Sequence, residues 1–254
     1  MTVPLLVLAG LDPTGGAGLT ADVAMARSLG LHPLPVPTVL TVQNSLRFSG
    51  MRPVEPAYIR SAVGSLAEEF RFDVAKVGLV PVDDEAWIDE VGDILFLRCR
   101  CVVIDPILRP TAARSESAIS PAFLRFISRP GVVITPNLRE LKAIASALGV
   151  SQTDPALLAQ DVGRVTGAAV VSTFEGEKAA VLVVDKGMSS EVPVMLVPTK
   201  RPVHGTGCRF STAIACGVAQ KKGLLDSVKT AIKKVTELVE NRTEISGSGQ
   251  DYLS

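Results

Sequence analysis

Val3-Pro-Leu-Leu-Val-Leu-Ala9, the turn Gly10-Leu-Asp-Pro-Thr-Gly-Gly16 and the run Ala17-Gly-Leu-Thr-Ala-Asp-Val-Ala-Met-Ala-Arg-Ser-Leu29 decide how the chain is read. The first piece is short and apolar, as a buried strand is; the third is longer and carries a helical pattern. The same alternation recurs over 34–42 and 56–69, then 74–80 and 83–97. It continues with 101–104, 131–135, 138–148 and 155–165. Strand-then-helix repetition of this kind predicts βαβ units around a mainly parallel central sheet with helices on both faces. After residue 168 the pattern changes. Short apolar runs at 168–173, 179–184 and 192–197, separated by Gly-containing turns, predict an antiparallel edge, and two last helices follow at 206–221 and 225–241. Ser120-Pro121 and Asp154-Pro155 each read as a helix cap with proline at the first helical position.

No Gly/Ser linker, Pro-rich tract or charge block divides the 254 residues, so we expect one domain over 1–241 and a polar, frayed tail over 242–254. With 26 basic and 26 acidic side chains, the charge gives no reason to expect a nucleic-acid or anionic-membrane partner. No apolar run approaches the ~20 residues that span a bilayer, and the N-terminus lacks a signal peptide pattern; a cytoplasmic protein is expected. The four cysteines, at 99, 101, 208 and 216, form neither CxxC nor a cluster with the two histidines, which argues against a zinc site or disulfide framework.

In open α/β sheets, ligands lie beyond the carboxyl ends of the strands. The segment His204-Gly-Thr-Gly-Cys208 runs straight into a small-residue helix. Gly205, Thr206 and Gly207 can turn amides inward, where the helix start adds about half a positive charge, and phosphate is the natural visitor. Cys208 at its edge reads either as a thiol with lowered pKa, able to take a proton from an attacking alcohol, or as a small core residue. Gly16-x-Gly18-x-x-Ala21 formally matches a dinucleotide fingerprint. The turn off the strand is too long, however, and no acidic residue lies between Asp22 and Glu55 to hold a ribose. These glycines let a ring approach the backbone, with Asp12 as a hydrogen-bonding carboxylate or simply as the cap of the turn. Gln43, at a strand end, offers an acceptor and two donors suited to an aminated ring nitrogen, or is ordinary turn polarity. Asn137 and Glu140 have the spacing of a pair acting on hydrated Mg2+ and equally that of a capping box. No Walker A sequence occurs.

Six motifs in order, Gly10-Leu-Asp-Pro-Thr-Gly-Gly-Ala-Gly-Leu-Thr-Ala-Asp22, Thr41-Val-Gln-Asn44, Lys76-Val-Gly-Leu79, Asp105-Pro-Ile-Leu108, Thr135-Pro-Asn-Leu-Arg-Glu140 and His204-Gly-Thr-Gly-Cys208, span nearly the whole chain. In them the chain resembles the hydroxymethylpyrimidine/phosphomethylpyrimidine kinases of thiamine biosynthesis. The resemblance implies a ribokinase-like three-layer sandwich, ATP as co-substrate, Mg2+, and a homodimer. It implies that Gln43 holds the aminopyrimidine, that Asp12 and Gly16 form the pocket floor and that Leu79 packs on the ring. Asn137 and Glu140 would belong to the Mg–phosphate region. The 205–207 turn would stabilise the transferring phosphoryl group while Cys208 acts as base. Family members usually carry Lys-Gly-Gly-His where this chain has Ser172-Thr-Phe-Glu-Gly-Glu177. Thr173, Glu175 and Gly176 instead resemble the nucleotide-binding loop of other ribokinase-like kinases. Leu79 replaces a methionine, and Arg109-Pro110 stands where relatives often have lysine. A pyridoxal or pyridoxine kinase on the same scaffold, and a pyrimidine-binding regulatory protein with a decayed donor site, are the alternatives.

Overall fold

The computed structural model describes residues 2–108, 119–174, 179–245 and 247–253. In chain order the first half contains β1 (Pro4–Leu11), α1 (Gly18–Ser28), β2 (His32–Gln43), β3 (Phe48–Pro53), α2 (Pro56–Glu69), β4 (Val74–Val77), α3 (Glu85–Phe96) and β5 (Cys101–Ile104). The second half contains α4 (Pro121–Ile127), β6 (Val132–Ile134), α5 (Leu138–Ala147), α6 (Pro155–Thr166), β7 (Ala169–Phe174), β8 (Ala180–Asp185), β9 (Met188–Pro193), β10 (Val203–His204), α7 (Thr206–Ala219), α8 (Leu224–Glu240), β11 (Thr243–Glu244) and β12 (Asp251–Tyr252).

Nine strands form one sheet in the order β3-β2-β1-β4-β5-β6-β7-β8-β9. The six from β2 to β7 run parallel, while β3 at one edge and β8 and β9 at the other are antiparallel. The period-2 alternation of strand side chains divides the core. Leu6 and Leu8 join Ala75, Val77, Val102 and Ile104 under the helices α2 to α6. Leu5 and Val7 face the other way and join Val74, Val103 and Val171 under α1, α7 and α8. This is the expected α/β sandwich, with antiparallel strands at both edges instead of one. Among the described residues, no helix is long and apolar enough to cross a membrane.

Three local differences from the sequence reading have physical causes. The last edge strand falls at Met188–Pro193, ahead of the 192–197 run, because Lys186 and Gly187 both take positive φ and close a tight hairpin that pairs Asp185 with Met188. β3, which has no apolar run to announce it, is returned against β2 by a turn in which Asn44 Oδ1 accepts the Leu46 and Arg47 amides. The described residues of the tail are not frayed. Asp251 and Leu253 are buried, and β12 lies between β10 and β11 in a small second sheet. It is fastened by the Asp251 amide to the Pro202 carbonyl and by Arg242 Nε to Asp251 Oδ2 at 3.3 Å.

Candidate active site

Strand order reverses between β1 and β4, and beyond the carboxyl ends of the parallel strands lies a cavity of about 460 Å³. Its polar end is walled by Asp105, Thr135, Asn137, Glu140 and the turn 205–208. Its apolar end is walled by Val181, Val194, Leu196, Ile232 and Val235.

The turn exists because Gly205 takes φ +78°, and a Cβ there would run into the Gly16 carbonyl oxygen and Arg209 Nη1. Gly205 caps α7 without any side-chain hydrogen bond, and the first turn holds no acidic residue. The turn lines the cavity and is capped by no carboxylate of the helix's own first turn, an arrangement suited to an anion. Arg209, on that first turn, is buried. It donates to the Gly16 and Leu253 carbonyls, both at 2.7 Å, and so fixes the helix start to the β1–α1 loop and to the chain's end.

Cys208 lies where the sequence reading expects it, on the cavity wall, but the lowered pKa expected there is overturned. Burial pushes the thiol up to about 12. Lys76 and the Gly18 amide pull it down, yet Asp22 and Asp105 add to the rise, so loss of water outweighs the helix field. Beneath it sits an ion pair that the sequence reading left without a role. Lys76 Nζ donates to Asp22 Oδ2 at 2.6 Å with both side chains fully buried, and Thr212 Oγ1 donates to Asp22 Oδ1 at 2.8 Å. Burial disfavours the ammonium, but Asp22, Cys208 and Asp105 together hold its pKa above the usual lysine value. Asp105 follows β5, accepts from Ser211 Oγ at 3.3 Å, and is pushed up to about 6 by burial, against the pull of Lys76.

Asn137 and Glu140 form a reciprocal capping box on α5. Asn137 Oδ1 accepts the Glu140 amide and Glu140 Oε2 accepts the Asn137 amide, each at 3.0 Å, while both residues line the cavity. Thr173 lines it as well, its amide donating to the Pro136 carbonyl. Glu175, Gly176 and Arg109-Pro110 lie outside the described residues.

The residues expected around the pyrimidine do not line this cavity; they lie on the β2 side of the α7 turn. Asp12 is buried and occupied. Its oxygens accept the Thr14 amide, the Thr14 hydroxyl and the Ala17 amide, and meet His204 Nε2 at 2.7 Å. Burial raises its pKa, but His204 and Thr14 outweigh that and hold it at about 2. Gly16 lies beneath the rings of His204 and Tyr252, which leave no room for a Cβ. Leu79 is buried against Gly10 and accepts the Thr38 hydroxyl on its carbonyl, while Gln43 stands half-buried at the end of β2. A lysine inside the otherwise apolar Val74-Ala-Lys-Val77 strand and an aspartate directly after Cys101–Ile104 were the available signals for the buried cluster.

The family model for phosphomethylpyrimidine kinase matches residues 12–251. The hydroxymethylpyrimidine/phosphomethylpyrimidine kinase of Aquifex aeolicus is 26% identical over 98% of each chain. That of Bacillus subtilis is 29% identical over 96% of this chain and 91% of the relative. Among solved structures, an ADP complex of Bacillus subtilis pyridoxal kinase superposes with a TM-score of 0.83 at 23% identity, covering 100% of this chain and 98% of that one. The phosphomethylpyrimidine kinase of Clostridium difficile gives 0.75 at 20% identity, covering 94% and 100%. These two share the ribokinase-like fold seen here. By the family match across nearly its whole length, this chain belongs to the phosphomethylpyrimidine kinase family.

Proposed function

We propose that the chain transfers the γ-phosphoryl group of ATP to the hydroxymethyl group of 4-amino-5-hydroxymethyl-2-methylpyrimidine or of its monophosphate. The observation that carries the reading is the uncapped start of α7, whose Gly205–Cys208 turn lines the cavity. Charge that develops as phosphorus changes partners would meet helix-start amides already in place, and one such donor is worth about 3 kcal/mol of transition-state stabilisation. The apolar walls from β8, α8 and the stretch before β10 suit the donor base, and the polar end suits its phosphates. Gln43, Leu79 and the loop carrying Asp12 and Gly16 would hold the acceptor from the β2 side, with Cys208 nearest the reacting hydroxyl. Thr173, Glu175 and Gly176 would flank the nucleotide.

Mg2+ takes oxygen ligands, often one or two carboxylates plus substrate phosphates. The Glu140 carboxylate and the Asn137 amide on the cavity wall fit that ion, and no group of three or more acidic, histidine or cysteine side chains able to cage a metal occurs among the described residues. When bound, the ion would neutralise phosphate charge. A homodimer completes the reading, with exposed Leu40, Val42 and Leu46 along the β2–β3 hairpin as its apolar surface.

ADP release with purified protein and Mg-ATP tests the function against three acceptors: the pyrimidine, its monophosphate and pyridoxal. Turnover with either pyrimidine species is the expected result. Turnover with pyridoxal alone assigns the chain to the alternative acceptor. Tight binding of the pyrimidine with no ADP from any acceptor makes it a sensor and overturns the kinase reading.

A further inference from the structure

We propose that Arg209 is a positioning residue for the acceptor: by bridging the Gly16 and Leu253 carbonyls it locks residues 249–253 against the β1–α1 loop and sets where that loop stands. The inference rests on the kinase reading, which puts the acceptor on that loop and on Gln43, and it gives both a common anchor.

The β1–α1 loop is closed on itself. Asp12 accepts the Thr14 amide, the Thr14 hydroxyl and the Ala17 amide, so the loop holds its own shape. Where it sits is fixed from outside. His204 of β10 meets Asp12 Oδ2 at 2.7 Å and pairs in register with Tyr252 of β12, the two rings edge to face with centroids 5.9 Å apart. Gly16 lies against both rings. Arg209 closes the arrangement: Nη1 donates to the Gly16 carbonyl and Nη2 to the Leu253 carbonyl, residues 193 and 44 positions away. At 4% exposure the guanidinium must find its partners inside the protein, and a planar fork aimed at two carbonyls holds both in one geometry.

The same segment reaches the other acceptor element. The Gly249 amide donates to Ser45 Oγ at 3.1 Å, and the Leu46 side chain fills the space that a Cβ on Gly249 would need. Ser45 follows Gln43 by two residues, at the turn into β3. Residues 249–253 thus touch the turn beside Gln43 at one end and, through Arg209, the loop carrying Asp12 and Gly16 at the other. Between these ends β12 is pinned by the Asp251 amide on the Pro202 carbonyl and by Arg242 Nε on Asp251 Oδ2. The apolar residues that wall the donor end of the cavity take no part in these bonds. Loss of the bridge should therefore displace the acceptor and spare the nucleotide, whereas a general loosening of the fold would weaken both.

Calorimetric Kd values for the hydroxymethylpyrimidine and for Mg-ADP test the bridge in the wild type, Arg209→Met, Arg209→Lys, Tyr252→Ala and the Arg209→Met/Tyr252→Ala double variant, each well below its unfolding midpoint. Arg209→Met weakens the pyrimidine by about tenfold and Mg-ADP by less than about twofold. Tyr252→Ala, which strips one ring from Gly16, acts in the same direction. Because both work through the one contact, the double variant binds the pyrimidine within about twofold of the weaker single variant. Arg209→Lys keeps the charge but reaches one carbonyl at a time, so its affinity falls between those of the wild type and Arg209→Met. A folded Arg209→Met protein with wild-type pyrimidine Kd, a loss shared equally by Mg-ADP, or losses that multiply in the double variant overturns the proposal. Should Arg209→Met fail to fold, Arg209→Lys and Tyr252→Ala decide it by the same comparison of the two ligands. A wild type that binds no pyrimidine defeats the kinase reading and the bridge together, whereas one that binds it and releases no ADP from Mg-ATP defeats the kinase reading alone.

Discussion

Two helices, α5 and α7, begin on the wall of the same cavity and deal with their starting amides in opposite ways. α5 satisfies its own, through the reciprocal bonds of Asn137 and Glu140. α7 leaves its start to Gly205, which has no side chain to offer and is held in the left-handed region by its neighbours. A capped helix end is complete in itself, whereas an uncapped one bordering a cavity is complete only with water or a ligand. On the proposed reading, that difference would give phosphoryl stabilisation to α7 and leave α5 to present a carboxylate.

Putting a Cβ on Gly205 strikes hardest at that contrast. Gly205→Ala meets the Gly16 carbonyl and Arg209 at a φ that alanine resists, so the turn must shift. We expect kcat to fall by about a hundredfold or more, corresponding to ~3 kcal/mol, in a protein whose circular dichroism shows it folded. Wild-type turnover in a folded Gly205→Ala protein would remove α7 from the chemistry.

A smaller effect tests the other helix. Glu140→Gln keeps a side-chain oxygen to accept the Asn137 amide while removing the charge. If the carboxylate serves the Mg–phosphate region, the Mg2+ concentration for half-maximal activity rises roughly tenfold. An unaltered Mg2+ requirement would reduce α5 to scaffolding.

How far this contrast was legible in advance follows from the range of the interactions. β1, α1, α2 and β5 could be read because apolar runs and Gly or Pro punctuation are local, and the Gly205–Cys208 turn because two glycines before a helix are local as well. The capping box was visible as one of two readings of the same four residues, and only coordinates show the bonds formed. The Cys208 pKa depends on Asp22 in α1, Lys76 in β4 and Asp105 just after β5, which come near the thiol only once the chain has folded. The Lys76–Asp22 pair joins residues 54 positions apart. The tail was misread for a similar reason: its order comes from Pro202, Arg209 and Arg242, and its own polar composition gives no sign of them.

The smallest expected effect is the most diagnostic of the capping box. Asn137→Ala deletes the acceptor of the Glu140 amide at 3.0 Å, and losing such a cap costs about 1 kcal/mol of stability, to be read from the urea midpoint at constant m. The Glu140 carboxylate can still receive the residue 137 amide, so half of the box survives and the helix start should hold its place. Turnover should therefore drop by less than about tenfold, well below the loss at Gly205. A larger loss without any change in the urea midpoint would mean that the Asn137 side chain acts on the reacting groups, and the division of labour between the two helix starts would have to be redrawn.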